Sequence, residues 1–348
     1  MINTKLLAEI CEVAGAPGHE QRVRKIVLRE IKSLVDEIKI DNMGNVVAIK
    51  KGKERKKVMI AAHMDEIGFI VTHIDDKGFI YFHTLGGFDP KTLTAQRVII
   101  HGKEDVMGVM GGKPIHLMNA VDRAKVPAIS DYFIDTGRPK KELDKLISVG
   151  DTITRERALI EMGDCLNCKS LDNRVSVFIL IEMLREMKSK PPYDVYAVFT
   201  VQEEIGIRGA NVSSMEINPD FGFGLDTTIA WDTPGSTKQE QVSALGDGAC
   251  IKVMDSSTVC DYRMVKYMKE IAKKKKLKTQ LEILPAGGTD TAGIQRMNPG
   301  GSIAGAVSIP TRHIHQVIEM VHKEDVRGAI ELLRHSVENL HTYDWSFR

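Results

Sequence analysis

The spacing of hydrophobic positions along this 348-residue chain changes several times, and the changes mark out its organisation. Residues 1–34 carry apolar positions every three or four residues, which predicts two amphipathic helices broken at Gly15-Ala16-Pro17-Gly18. A strand is predicted over 45–49, followed by a basic turn. Val58-Met59-Ile60-Ala61-Ala62 is a continuous apolar run, the pattern of a strand covered on both faces, and it ends in His63-Met64-Asp65-Glu66. From Phe69 to about Glu161 short β-rich pieces (69–74, 79–83, 97–101 and 106–109) alternate with Gly, Asp and Pro turns. That rhythm predicts a small antiparallel barrel or sandwich. Helical and parallel-strand signals return at Asp172: a helix over 173–187, strands over 195–201 and 221–226, and a helix over 261–277. A Gly-rich turn at 287–288, a strand over 304–309 and a helix over 323–340 complete the chain. The expected fold is α/β, a mostly parallel central sheet flanked by helices over 1–68 and 162–348, interrupted by a β-rich insertion at 69–161.

Charge and composition narrow the function. Lysine and arginine number 48 against 47 aspartate and glutamate, a net charge of +1. Nucleic acid and anionic membrane both call for a clear basic excess, so neither is expected as a partner. No uncharged apolar run approaches the ~20 residues that span a bilayer. Lys5, Glu9 and Glu12 interrupt the apolar start where a signal peptide needs an unbroken core. A cytoplasmic protein is expected. Six Lys or Arg surround Gly52 over 50–57, and Lys273-Lys274-Lys275-Lys276 closes a helix; both read as solvated surface. Five cysteines in so long a chain do not form a disulfide framework. Cys165-Leu166-Asn167-Cys168 lacks the second pair a zinc ribbon needs and reads as two reduced thiols in a loop.

The chemistry gathers where strands end. His63 and Asp65 follow one apolar run, Glu203 and Glu204 another, and Asp226 closes a third; Asp172 precedes a helix, and Arg312-His313-Ile314-His315 follows the strand at 304–309. Singly, each has a plain explanation: Asp172 as a helix cap, Asp226 in a turn, most of the 11 histidines as ordinary surface. The adjacent glutamates are harder to explain, because two charges at a buried sheet edge need an offsetting partner. On an extended segment neighbours face opposite ways, so one could hold a metal while the other handles a proton. Histidines with several carboxylates suit zinc, cobalt or manganese better than magnesium or calcium.

Taken in order, these segments resemble the tetrahedral (TET) aminopeptidases, dinuclear metallopeptidases. The resemblance rests on Ala62-His63-Met64-Asp65-Glu66-Ile67-Gly68, Ser170-Leu171-Asp172-Asn173-Arg174, Val201-Gln202-Glu203-Glu204-Ile205-Gly206, Asp226-Thr227-Thr228 and Pro310-Thr311-Arg312-His313-Ile314-His315. Asp232-Thr233-Pro234-Gly235 and Gly287-Gly288-Thr289-Asp290 also match, and the likeness runs nearly end to end, the insertion included. One departure is His313, where the family usually has an aromatic residue, often tyrosine.

The resemblance implies a zinc-peptidase-like catalytic domain holding two divalent ions, zinc or cobalt. His63 and Asp226 would bind one, Glu204 and His315 the other, and Asp172 both. Asp65 would orient His63 through its distal nitrogen, and Glu203 would be the general base. Spacing does not choose between His313 and His315; the family pattern selects His315. The insertion at 69–161 would be a small β-barrel mediating dimers, which assemble into a hollow tetrahedral homododecamer that admits short peptides.

The implied function is removal of N-terminal residues from short peptides, with a lean toward neutral or leucyl ends. A related dinuclear carboxypeptidase or N-acyl amino acid deacylase is the alternative, marked by two long helices on a sheet within 69–161. Glycoside hydrolysis fits adjacent glutamates poorly, since its two carboxylates stand ~5–9.5 Å apart across the bond. A metal-binding scaffold without catalysis would have no need of Glu203.

Overall fold

A computed structural model of the chain describes residues 2–347. An eight-stranded mixed sheet runs in the order Glu37–Ile40, Val46–Lys50, Tyr193–Thr200, Glu54–His63, Phe221–Ile229, Ile303–Thr311, Ala249–Met254, Thr279–Ile283. The four strands from Tyr193–Thr200 to Ile303–Thr311 are mutually parallel. Antiparallel pairs join them to the flanks, and the last two strands are again parallel to each other. Register aligns the ends of the parallel strands, Thr200 beside His63 and Ile229 beside Thr311, so the loops beyond them converge.

The apolar run at 58–62 is covered on both faces. Val58, Ile60 and Ala62 join the main core with the helix Leu171–Glu186, while Met59 and Ala61 meet Val198, Ile217 and Ile294 on the opposite face. Leu171–Glu186 is buried on nearly every side, wedged between the sheet and the helices Thr4–Glu12, Gln21–Ile31 and Lys323–Asn339. At roughly 25 cal/mol per Å² of apolar surface removed from water, such two-sided burial is the main stabilising term of the fold.

The β-rich segment closes on itself. Its strands run Gly68–Ile74, Ile80–Leu85, Phe133–Asp135, Asp105–Gly111, Arg97–His101, Thr152–Arg155 around a closed barrel. Phe69, Val98, Ile100, Ile134 and Ile153 fill a core separate from that of the sheet. Its helices are short, Ala120–Ala124 and Lys140–Leu146, rather than the long pair of an α/β lid.

Several elements depart from the sequence expectation. Cys165–Cys168 is not a loop but the middle strand of a three-stranded sheet between Ile160–Met162 and Glu319–His322. Pairing with a strand about 150 residues away leaves no local signal. All five cysteines are free, and Cys165 is the only one not buried. The strands Ala249–Met254 and Thr279–Ile283 and the helix Arg208–Ile217 carry weak patterns, because an edge strand such as Thr279–Ile283 alternates polar and exposed apolar residues. Among the described residues no helix is long and apolar enough to cross a membrane.

Candidate active site

Every site residue but Asp226, which was expected to close its strand, sits where a regular element gives way. His63 closes Glu54–His63. Glu203 and Glu204 lie beyond the end of Tyr193–Thr200, after Gln202 in the left-handed region (φ 56), so a loop and not a strand aims the pair. Two carboxylates hold that loop. Glu20 Oε1 accepts the Gln202 N–H at 3.2 Å, while Asp65 accepts the N–H of Glu203 on Oδ1 (3.0 Å) and of Glu204 on Oδ2 (3.1 Å). Asp172 follows Ser170, itself left-handed at φ 56, and precedes a cis peptide to Asn173. Asp226 lies within the buried strand Phe221–Ile229. His313 and His315 occupy a turn after Ile303–Thr311 with φ of 59 and 64, so their side chains are directed by the turn and not by strand alternation.

The side chains converge on Asp172. Its Oδ1 stands 3.4 Å from His63 Nε2, and its Oδ2 3.4 Å from His315 Nε2. His63 Nε2 is also 3.7 Å from Asp226 Oδ1 and 3.8 Å from Glu203 Oε2, and His315 Nε2 is 3.5 Å from Glu204 Oε2. These separations exceed ordinary N–H···O hydrogen bonds. Donors sharing one tetrahedral zinc at about 2.0–2.2 Å stand roughly 3.3 Å apart, which matches the spacing here. Glu204 Oε1 is buried without a hydrogen-bond partner, and ligand atoms of His63, Asp172 and Glu204 all lie within 4.8 Å of one another. His313 lines the same cavity.

His63 differs in one detail from the expected arrangement. Its Nδ1–H donates to the Asp65 main-chain carbonyl at 3.1 Å, with the Asp65 carboxylate at 3.4 Å and turned to the glutamate loop. The carbonyl can only accept, so Nδ1 carries hydrogen and Nε2 faces the cluster.

Electrostatics favour a cation here. Asp65, Asp172, Glu203, Glu204, Asp226 and Asp290 crowd a buried His63 and a partly exposed His315. Burial pushes the Glu203 carboxyl well above its usual range against the pull of His63, with Asp226, Glu204 and Asp290 adding to the rise. Burial likewise lifts Glu204 to about 8, with His315 opposing and Asp172 adding. Burial would lower both imidazoles, but the carboxylates outweigh it: His63 is held well above its ordinary value and His315 at about 10. Against its own burial, the Asp172 carboxyl is held well below its usual range by the facing imidazoles of His315 and His63. The donor set fits a divalent ion, whose charge would offset this excess of buried carboxylate.

A cavity of about 940 Å³ opens over the cluster, lined also by Phe88, Ile207, Trp231, Lys252 and Leu284. Its two cations are already paired: Lys252 Nζ lies 2.9 Å from Asp255 and 3.3 Å from Glu282, and Arg312 Nε lies 2.6 Å from Asp232. Other groups around the site have no signal in the sequence beyond their residue type. Asp290, which burial raises to about 7, accepts from the Thr200 hydroxyl and adds charge to the cluster. Glu20, Glu319 and Arg155 are lone charges in segments that read as ordinary helix or strand. The Gly-rich turn before Asp290 was the one available clue.

The chain is similar to known proteins over nearly its whole length. The family model of M42 glutamyl aminopeptidase matches residues 44–332. A curated protein of Acetivibrio thermocellus described as a putative aminopeptidase is 38% identical, over 94% of this chain and 96% of its own. The structure of an aminopeptidase from the archaeon Desulfurococcus kamchatkensis superposes with a TM-score of 0.92 at 37% identity, covering 96% of this chain and 94% of that one. The Pyrococcus horikoshii TET1 peptidase, described as assembling into a tetrahedron or a large octahedral shell, superposes with a TM-score of 0.86 at 29% identity, covering 96% and 98%.

Proposed function

We propose a mechanism for this chain from one premise: it belongs to the M42 glutamyl aminopeptidase family. It is a metal-dependent aminopeptidase, a hydrolase that removes residues from peptide N-termini. In our reading the cluster would hold two divalent ions, zinc or cobalt, with His63 and Asp226 as ligands for one, Glu204 and His315 for the other, and Asp172 for both. The observation that carries this reading is the placement of the two Asp172 oxygens, each 3.4 Å from a different histidine.

Bound there, the ions would supply Lewis acidity to the scissile carbonyl and to an attacking water. Glu203 does the proton work. Its carboxylate takes the proton of that water and returns it to the leaving amine. Asp65 fixes where that base stands by holding its backbone, and keeps the His63 Nε2 turned inward through its own carbonyl. A neutral first residue suits the cavity, because Lys252 and Arg312 are already engaged and Ile207 and Leu284 offer apolar walls.

Residues 1–68 and 162–348 would form the catalytic domain and 69–161 the dimerising one. Met107, Val109, Ile115, Leu117, Val121 and Val126 are large apolar residues exposed on that segment, in keeping with a surface another copy covers. By likeness to the Pyrococcus horikoshii peptidase, dimers would assemble into a tetrahedral homododecamer whose chamber admits short peptides. Five free thiols suit a cytoplasmic location.

The decisive experiment strips the protein with a chelator and restores zinc, cobalt or manganese one at a time. A panel of amino-acid anilides and N-acylated counterparts is then assayed. Activity that returns with about two ions per subunit, and only on free α-amines, is the expected result. Turnover of N-acylated substrates would favour the deacylase alternative, and full activity with a single ion would end the dinuclear reading.

A further inference from the structure

His315 has an unusual setting: both of its backbone polar groups are held by buried charged side chains, one four residues further on and one from the barrel. Its N–H donates to Glu319 Oε1 at 2.8 Å. The second oxygen of the same carboxylate, Oε2, accepts the N–H of Asp172 at 2.9 Å. Glu319 therefore ties together the backbones of the two residues whose side chains meet at 3.4 Å. The carbonyl of His315 accepts from Arg155 Nη1 at 2.9 Å, and Arg155 is the last residue of the final barrel strand, Thr152–Arg155.

Both charged groups are deeply placed, Glu319 at 1% exposure and Arg155 at 2%. Burying an arginine is costly unless its charge is balanced and its donors are used. The Arg155 guanidinium lies over the Phe88 ring at 5.2 Å, and its Nε has no hydrogen-bond partner. The contact it does make is to a backbone that needs holding. His315 has φ 64, a left-handed conformation that a residue with a Cβ adopts only at an energetic cost. A donor at its carbonyl and an acceptor at its N–H hold that residue, alongside the Arg312–Met320 pairing and the Gln316 N–H to His313 carbonyl bond that close the turn. The barrel segment also walls the ring, since a Cβ on Gly87 would stand 3.6 Å from His315 Nδ1.

We propose that Arg155 is a positioning residue. It carries the barrel into the catalytic centre by fixing His315 against Asp172 and Glu204, and Glu319 is its counterpart on the sheet side. The inference rests on the proposal above that His315 holds the second ion. It adds that this half of the site is completed by the barrel, whereas no barrel side chain hydrogen-bonds the backbone of His63 or Asp226 among the contacts described. The two ions therefore differ in their dependence on barrel seating.

The test is cobalt titration of the chelated, full-length protein, followed by calorimetry and by the visible absorption of bound Co²⁺. Arg155→Met should leave one ion at wild-type affinity and weaken the other by about 10- to 100-fold, the range found when groups supporting metal ligands are removed. Arg155→Lys, which keeps the buried charge and one donor, should recover part of that loss. Equal weakening of both ions, or wild-type affinity for both, overturns the proposal. If Arg155→Met does not fold, Arg155→Lys decides: two wild-type affinities overturn the proposal, and selective weakening of one supports it. His315→Ala separates this inference from its foundation. If that variant binds both ions normally, the ligand assignment is wrong; if it loses one ion while Arg155→Met loses none, only the role of Arg155 is wrong.

Discussion

Asp65 accepts the backbone N–H of Glu203 at 3.0 Å, joining segments 138 residues apart. Its other oxygen takes the N–H of Glu204, so a single carboxylate sets the bearing of both glutamates. Asp65→Asn would present an amide to one of these donors. Leaving a buried donor unsatisfied costs about 1–3 kcal/mol. The expected result is a lower melting temperature together with metal affinity reduced about 10- to 100-fold. Calorimetry on chelated and reloaded protein measures both, and a variant that binds metal like the wild type would remove Asp65 from the site's support.

Glu203→Gln separates base from ligand. It keeps the shape of the side chain and loses the proton acceptor, so kcat should fall roughly 10²- to 10⁴-fold while metal content stays at the wild-type value. Glu204→Gln should instead lose metal, because the oxygen it gives up lies 3.5 Å from His315 Nε2. Full activity in Glu203→Gln would falsify its role as base.

The ion-free protein should lose stability as pH rises. His315 is held at about 10, so its contribution is complete below the ordinary imidazole value and disappears as pH climbs toward 10. Glu204, raised from 4.5 to about 8, keeps a proton in the fold that the unfolded chain has released, so stability also falls as pH rises between those two values. Both effects have one sign, because the native state binds more protons than the unfolded state and stability falls with pH. Divalent ions compete with those protons, so metal affinity should rise across the same window. Thermal melts of chelated and zinc-loaded protein at pH 6 and pH 9 check this. Chelated protein equally stable at both would contradict the charge balance described for the cluster.

Assembly can be tested on the barrel surface. Leu117 and Val121 are 71% and 76% exposed, and aspartate at both positions would make burial against another copy costly. The double variant should show a smaller particle mass by light scattering, with the melting temperature of the monomer fold nearly unchanged. An unaltered mass would place the interface elsewhere.

The sequence by itself determined the layers of this protein and the identity of its chemistry. The apolar run at 58–62 announced a strand buried on both faces, and Val58, Ile60 and Ala62 on one side with Met59 and Ala61 on the other occupy two cores. The change of period after Gly68 announced the barrel. Strand-end chemistry marked His63, Asp172, Glu203, Glu204 and Asp226, because periodicity and carboxylate placement are local properties that one segment displays alone. Tertiary structure decided what those residues can do. The glutamate pair is aimed by a left-handed loop pinned to Asp65 and Glu20, and His315 owes its position to Glu319 and Arg155. Such contacts join segments 138 to 182 residues apart, apart from the short link from His315 to Glu319. A lone buried carboxylate or guanidinium has no period to betray it, and its partner exists only once the chain has closed around both.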